Sequence, residues 1–395
     1  MLIFSASAWR ITFYACVGFL VRVRAFVFKM CGDTLRVVSR LWFLGGFMNC
    51  FTKFLSLLFL GGSLFSSCMI ANETSAWRAR YEDSVHASLI AMAVGDAMGR
   101  PTEFLSLKQI FTAYPQGIRS FDDFKPTDFW YENGTRRAPY TDDTAMAKLV
   151  FQALLLESQA KYDDLEHAMT RMAFDFYQDM HNPKGWAAPE RAPGGACLKA
   201  VQKLGPAVGF IDRVGAFRPG WWKVGEPNAG GCGSVMRAAP FGLLCAYDPE
   251  KAQGWAAQHS LITHGAPLAQ AACAAMAVGV ALAVQKEKPE IIAQKMVAVA
   301  RNHDEKTAQM LEQAIAYAEQ NKQAKNFTEL FELSKPVFEQ FQGWAAHEAI
   351  AAALYCFLVC PDNVKGAIYL GVHTPGDSDS IACMAGALVG ARVGM

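Results

Sequence analysis

From Ala76 to the C-terminus, apolar residues recur at three- and four-residue intervals almost without a break, and alternating β-branched runs are few. Such a chain buries one stripe of each segment against its neighbours when coiled at about 3.6 residues per turn, and cannot do so as a pleated sheet. The pattern predicts an all-α domain. Helices are expected over about Tyr81–Met98, from Thr141 through Leu156, and over Ala266–Val284, Pro289–Arg301, Thr307–Glu319, Trp344–Phe357 and Ser380–Val393. The Trp344–Phe357 segment is small or apolar all round, as a helix buried on every side must be. Asn133-Gly134, in the aromatic and turn-rich stretch from Phe121 to Tyr140, is a tight-turn pair that suits a small hairpin.

Residues 1–72 are a different kind of sequence, and 395 residues exceed what one core usually holds, so an appendage to a domain over 76–395 is expected. Arg10, Arg22, Arg24, Lys29, Arg36, Arg40 and Lys53 stand there against Asp33 alone. The uncharged run Phe54–Ala71 is long enough to be a marginal membrane span. It also resembles a bacterial lipoprotein signal: Met48–Lys53 as a basic start, Phe54–Phe65 as the apolar stretch, and Ser66-Ser67 before Cys68 as the residue to be lipidated. On that reading residues 1–47 lie upstream of the true start, and the chain attaches to a membrane in the cell envelope or periplasm. Without the leader the expectation is cytoplasmic. Net charge is +1, from 37 basic and 36 acidic residues, so nucleic acid is not expected as the main partner. The eleven cysteines show no zinc-finger spacing and read as buried small apolar residues.

Two acidic clusters carry the chemistry. Asp377-Ser378-Asp379-Ser380 and Thr141-Asp142-Asp143-Thr144 each place two carboxylates and hydroxyls at a predicted helix start. Acids and hydroxyls are also what a helix start needs for capping, so either cluster alone has an ordinary structural explanation. Together they supply four carboxylates that repel unless protons or cations intervene, and hard oxygen ligands suit Mg²⁺ or Mn²⁺. Upstream, Pro101 stops the first helix and delivers Glu103 on a defined turn. The loop Asn228–Arg237, containing Gly230, Gly231, Cys232, Gly233 and Ser234, enters a helix and can present backbone N–H groups to an anion such as a diphosphate. Asn182–Trp186 and Arg191–Gly195 look like flexible substrate loops by composition, and His264 follows a helix end, where it serves as a cap or a contact.

The ordered set GDAMGRPTEF, YTDDTAMA, GGCGSVMRAAPFGL, THGAP, GWAAHEAIAAALYCF and GDSDSIACMAGALVGA resembles the ADP-ribosylglycohydrolase family from about Ser84 to the C-terminus. The resemblance implies a compact orthogonal multi-helix domain with two divalent cations, Mg²⁺ or Mn²⁺. It implies Thr141, Asp142, Asp143, Asp377, Asp379 and Ser380 as metal ligands, with Glu103 the mobile acid near them and Glu103, Asp142 and Asp377 the catalytic acids. Gly230 to Ser234 and His264 are implied as ADP-ribose contacts. Many members carry Asn where Cys232 stands and Thr where Ser378 and Ser380 stand. The implied activity is hydrolysis of the bond between ADP-ribose and an acceptor, on an ADP-ribosylated protein or a small ADP-ribosyl conjugate. The alternative is a non-catalytic ADP-ribose-binding or toxin-immunity protein on the same fold.

Overall fold

A computed structural model describes residues 77–132, 135–160, 164–208 and 218–395; the leader, with Cys68, lies outside these. The helices are α1 (77–99), α2 (Leu107–Ala113), α3 (Asp142–Ala160), α4 (Leu165–Met180), α5 (Gly195–Gln202), α6 (Ala239–Leu244), α7 (Pro249–Ser260), α8 (Pro267–Val284), α9 (Pro289–Arg301), α10 (Glu305–Asn321), α11 (Phe327–Gln340), α12 (Ala346–Val359), α13 (Val364–Val372) and α14 (Ser378–Val393). The expected hairpin is present between α2 and α3. Strands β1 (Trp130–Glu132) and β2 (Thr135–Arg137) pair antiparallel with Trp130 opposite Arg137.

Sequence periodicity placed α8, α9, α10 and α12 to within two residues, because long apolar stripes are its clearest signal. It assigned no element to α4 or α11. In α4 the buried stripe is short, carried by Met169, Met172, Ala173 and Phe176 among polar residues, and the start is capped by Asp164, which accepts from His167 N at 2.9 Å. α11 contains Pro336, ordinarily a helix breaker, yet Leu330, Phe331, Val337 and Phe338 are buried along it.

The centre of the domain is built from α8, α12 and α14. α8 is apolar enough and long enough to cross a membrane, but 78% of that stretch is buried inside the protein, so it is a core helix. The α1–α14 seam positions the site. A Cβ added at Gly95 would collide with the Ala382 carbonyl, one at Gly386 with that of Ala91, and one at Gly390 with that of Ala87. The two backbones therefore touch along an i, i+4 row of small residues, which only glycine or alanine permits. Ser88 Oγ adds a bond to the Ala387 carbonyl at 2.8 Å. The seam sets the C-terminal end of α1 beside the N-terminal end of α14.

Candidate metal and ligand site

α1 runs into a 3-10 turn, Arg100–Thr102, and Glu103 closes it, its N–H donating to the Gly99 carbonyl at 3.2 Å. Arg100 Nη1 holds Glu103 Oε2 at 2.9 Å. Thr102 Oγ1 lies 2.6 Å from the Val372 carbonyl and 3.0 Å from Ser378 Oγ, which ties this turn to the start of α14. Phe104 follows at φ 64°, a strained conformation for a bulky residue. Its N–H donates to the Gly376 carbonyl at 2.8 Å and its ring stacks on Trp344 at 5.2 Å.

Carboxylate oxygens of Glu103, Asp377 and Asp379 all lie within 4.8 Å of one another. Asp377 occupies the N-cap position of α14, but its side chain caps no N–H. At α3 the capping is done by others. Thr141 Oγ1 accepts from Asp143 N at 3.3 Å, while the buried Asp96 of α1 accepts from Thr141 N at 2.8 Å, Thr141 Oγ1 at 2.9 Å, Thr144 N at 3.0 Å and Thr144 Oγ1 at 2.5 Å. Asp142 and Asp143 are thus released from that task. Asp142 Oδ2 accepts from Gly194 N at 3.3 Å, and Asp143 Oδ1 is buried with no hydrogen-bond partner. Capping does not account for these acids.

Burial, then the charge of Asp379 and Asp377, pushes Glu103 up to about 10 against the lowering effect of Arg100. Burial with Asp379 nearby pushes Asp96 up to about 7. Burial likewise lifts Asp142, Asp143 and Asp377 well above the carboxylate range and raises Asp379. Asp142 and Asp143 each feel Asp379, so both predicted clusters belong to one acidic face.

The glycine-rich loop crosses from this face to a buried cation. Cys232 N donates to the Trp344 carbonyl at 3.3 Å and Ala346 N to that of Gly230 at 2.9 Å, stitching the loop to the start of α12. The chain then enters a helix, as expected, in the form of a short 3-10 helix, Cys232–Arg237. Cys232 Sγ turns onto Asp377 Oδ2 at 2.6 Å. Behind the loop, the fully buried Arg237 donates to the Gly233 carbonyl at 2.5 Å, His259 Nε2 at 2.9 Å and Thr263 Oγ1 at 2.7 Å, and its guanidinium lies 4.8 Å from the Phe176 ring centre. Thr263 Oγ1, which accepts from Arg237, also lies 2.8 Å from His264 Nδ1. Burial and Arg237 push His264 down to about 3, so its ring is neutral. Its ring packs against Gly233: a Cβ there would meet His264 Cε1 at 2.9 Å. Ser234 Oγ lies 3.0 Å from Ser260 Oγ.

Two segments expected to be flexible are anchored instead. Trp186 is fully buried and donates to the Phe176 carbonyl at 2.9 Å, while Arg191 donates to the Tyr140 carbonyl and hydroxyl, both at 3.0 Å, with its guanidinium over that ring. The aromatic and cationic side chains override the loop-like glycines and prolines around them. Sequence reasoning gave no role to Asp96 or Arg237. A charged residue on the apolar stripe of α1, and another inside the run Val235-Met236-Arg237-Ala238-Ala239, were the signals that marked them.

The profile of a family described as ADP-ribosylglycohydrolase matches residues 77–395. The chain is 27% identical over 277 residues to the ADP-ribosylhydrolase ARH3 of Bos taurus, covering 65% of this chain and 71% of that protein. The Homo sapiens ARH3 matches to the same extent. An uncharacterized protein of Archaeoglobus fulgidus is 24% identical over 311 residues, 79% of this chain and 88% of that one. A solved structure titled ADP-ribosylglycohydrolase-related protein complex shares the fold with a TM-score of 0.52 and 20% identity, over 80% of this chain and 88% of its own.

Proposed function

We propose, from the premise that the chain belongs to the ADP-ribosylglycohydrolase family, that it is a cation-dependent hydrolase that cleaves the bond between the anomeric ribose carbon of ADP-ribose and an acceptor such as a protein side chain. The carrying observation is the set of buried acids that neither capping nor ion pairing consumes, above all Asp143 with its unpartnered Oδ1. An all-oxygen donor set of this kind fits Mg²⁺ or Mn²⁺. Thr141, Asp142, Asp143, Asp377, Asp379 and Ser380 would hold two such ions, which when bound supply charge to grip the ribose hydroxyls and polarise a water.

The chain's own residues do the rest. With cations bound to offset the charge of Asp377 and Asp379, Glu103, half-buried beside them and held by Arg100, would shed the proton that it keeps in the ion-free protein and accept that of the attacking water. Water oxygen bonds to the anomeric carbon, the carbon–acceptor bond breaks with its electron pair on the acceptor, and the acceptor takes up a proton from solvent while Glu103 passes the water's proton back to solvent. The backbone N–H groups at Gly233 and Ser234, with the neutral His264 ring packed beside them, would bind the diphosphate, and Arg237 behind the loop would favour its negative charge. Incubating the protein and Mg²⁺ with ADP-ribosylated arginine, serine and DNA and measuring free ADP-ribose tests this. Release from at least one acceptor, abolished by EDTA, is expected. Full activity in EDTA, or release from none, sinks the reading.

A further inference from the structure

We propose that Cys232 gives this centre a soft donor, so that the chain binds thiophilic divalent cations such as Co²⁺, Zn²⁺ or Cd²⁺ through one sulfur together with the acidic oxygens. This rests on the reading that the acidic face binds cations. Cys232 Sγ is 2.6 Å from Asp377 Oδ2 and 3.8 Å from Ser380 Oγ, so the sulfur sits among the oxygens proposed as ligands and not on the outer side of the loop. Its place is set by the backbone, since Cys232 N is bonded to the Trp344 carbonyl where the 3-10 helix begins. Independently, Asp143 is 3% exposed with an unpartnered Oδ1, and it and Asp377 are the carboxylates whose charge falls most on Cys232. That unpartnered oxygen is a ready ligand for a cation held at the same sulfur.

Sulfur prefers borderline and soft ions over Mg²⁺, so one thiolate changes the order of affinities instead of raising all of them. In the ion-free protein the Cys232 thiol donates to Asp377 Oδ2. On loading, the S–H bond is replaced by a sulfur–metal bond and one proton is released to solvent, with no change of oxidation state. Family members with Asn at this position lack that donor, which makes Cys232→Asn the informative variant alongside the isosteric Cys232→Ser.

The full-length chain is stripped with chelator and titrated anaerobically with Co²⁺, following thiolate-to-cobalt charge-transfer absorption in the near ultraviolet and the heat of binding. Wild type is expected to show the band. Cys232→Ser and Cys232→Asn should lose it and bind Cd²⁺ about 10- to 100-fold more weakly, with Mg²⁺ affinity nearly unchanged. Cys383→Ser, which removes another buried thiol close to the acids, should keep the band. Melting curves confirm that each variant is folded. Co²⁺ bound without the band, or a band that survives in Cys232→Ser, overturns the role of sulfur while leaving the acidic face intact. No cation bound by wild type removes the acidic-face reading and this inference with it.

Discussion

The acidic face and the nest around Arg237 are both buried charge, and the Gly230–Ser234 loop joins them, touching Asp377 through Cys232 and Arg237 through the Gly233 carbonyl. They are satisfied in opposite ways. Arg237 is surrounded by neutral acceptors that use its fork of donors. The acids have few donors to share, and without a cation they keep protons that a solvated carboxylate would release. Arg237 has its hydrogen bonds made as folded; the acidic face is, on the proposed function, completed by a positive ion. Side by side, they suit a ligand with sugar hydroxyls at one end and phosphates at the other.

The strongest way to break this contrast is to exchange the effects of two substitutions. Asp377→Asn is expected to lower turnover by more than about 100-fold and to abolish the heat of Mg²⁺ binding. Arg237→Lys keeps the charge but loses the fork, and a lost charge-assisted bond weakens ADP-ribose binding by about tenfold or more with Mg²⁺ binding preserved. If both variants lose both ligands equally in calorimetry, the two regions do not act separately.

A pH series sharpens it next. Glu103 has its folded pKa raised to about 10, so between pH 7 and pH 9 the folded protein keeps a proton that the unfolded chain has already released. Stability of the cation-free protein should therefore fall as pH rises, Glu103 alone contributing about 1.4 kcal/mol per unit and the raised aspartates adding in the same direction. His264 and His373, pushed down to about 3 and about 4 by burial, act with the opposite sign and only below about pH 6.5, where the unfolded chain takes protons that the folded one refuses. Saturating Mg²⁺ should flatten the slope above pH 7. Urea unfolding with and without the ion reads it, and a slope indifferent to Mg²⁺ would mean that the acids are not its ligands.

The smallest effect is expected at the joint. Gly233→Ala brings a Cβ to 2.9 Å from both Cys197 Sγ and His264 Cε1, costing about 1–3 kcal/mol of stability if the neighbours give way. ADP-ribose affinity should fall while Mg²⁺ affinity holds, as titration of each ligand would establish. A variant that weakens Mg²⁺ instead would place the loop wholly on the acidic side.

Much of this was legible in the sequence. The helix period, the buried all-apolar segment around Ile350, the small residues of the last helix and the paired acidic clusters are local patterns, and a 3.6-residue repeat expresses itself wherever the chain is cut. Glu103 on its turn was readable from Pro101 and the glycines beside it. By itself, then, the sequence determined an all-α domain and the chemical types gathered at its helix starts. It left open whether those acids were caps or ligands. Only the tertiary structure decided which of them serve as caps, because Asp96, which caps α3, lies 45 positions before Thr141, and Cys232, which meets Asp377, lies 145 positions before it. Which acids remain unspent depends on who else reaches the helix start, and that is settled by the backbone contact between α1 and α14. Periodicity reports the face a residue occupies; the partner across the gap is fixed by how closely two helices can approach.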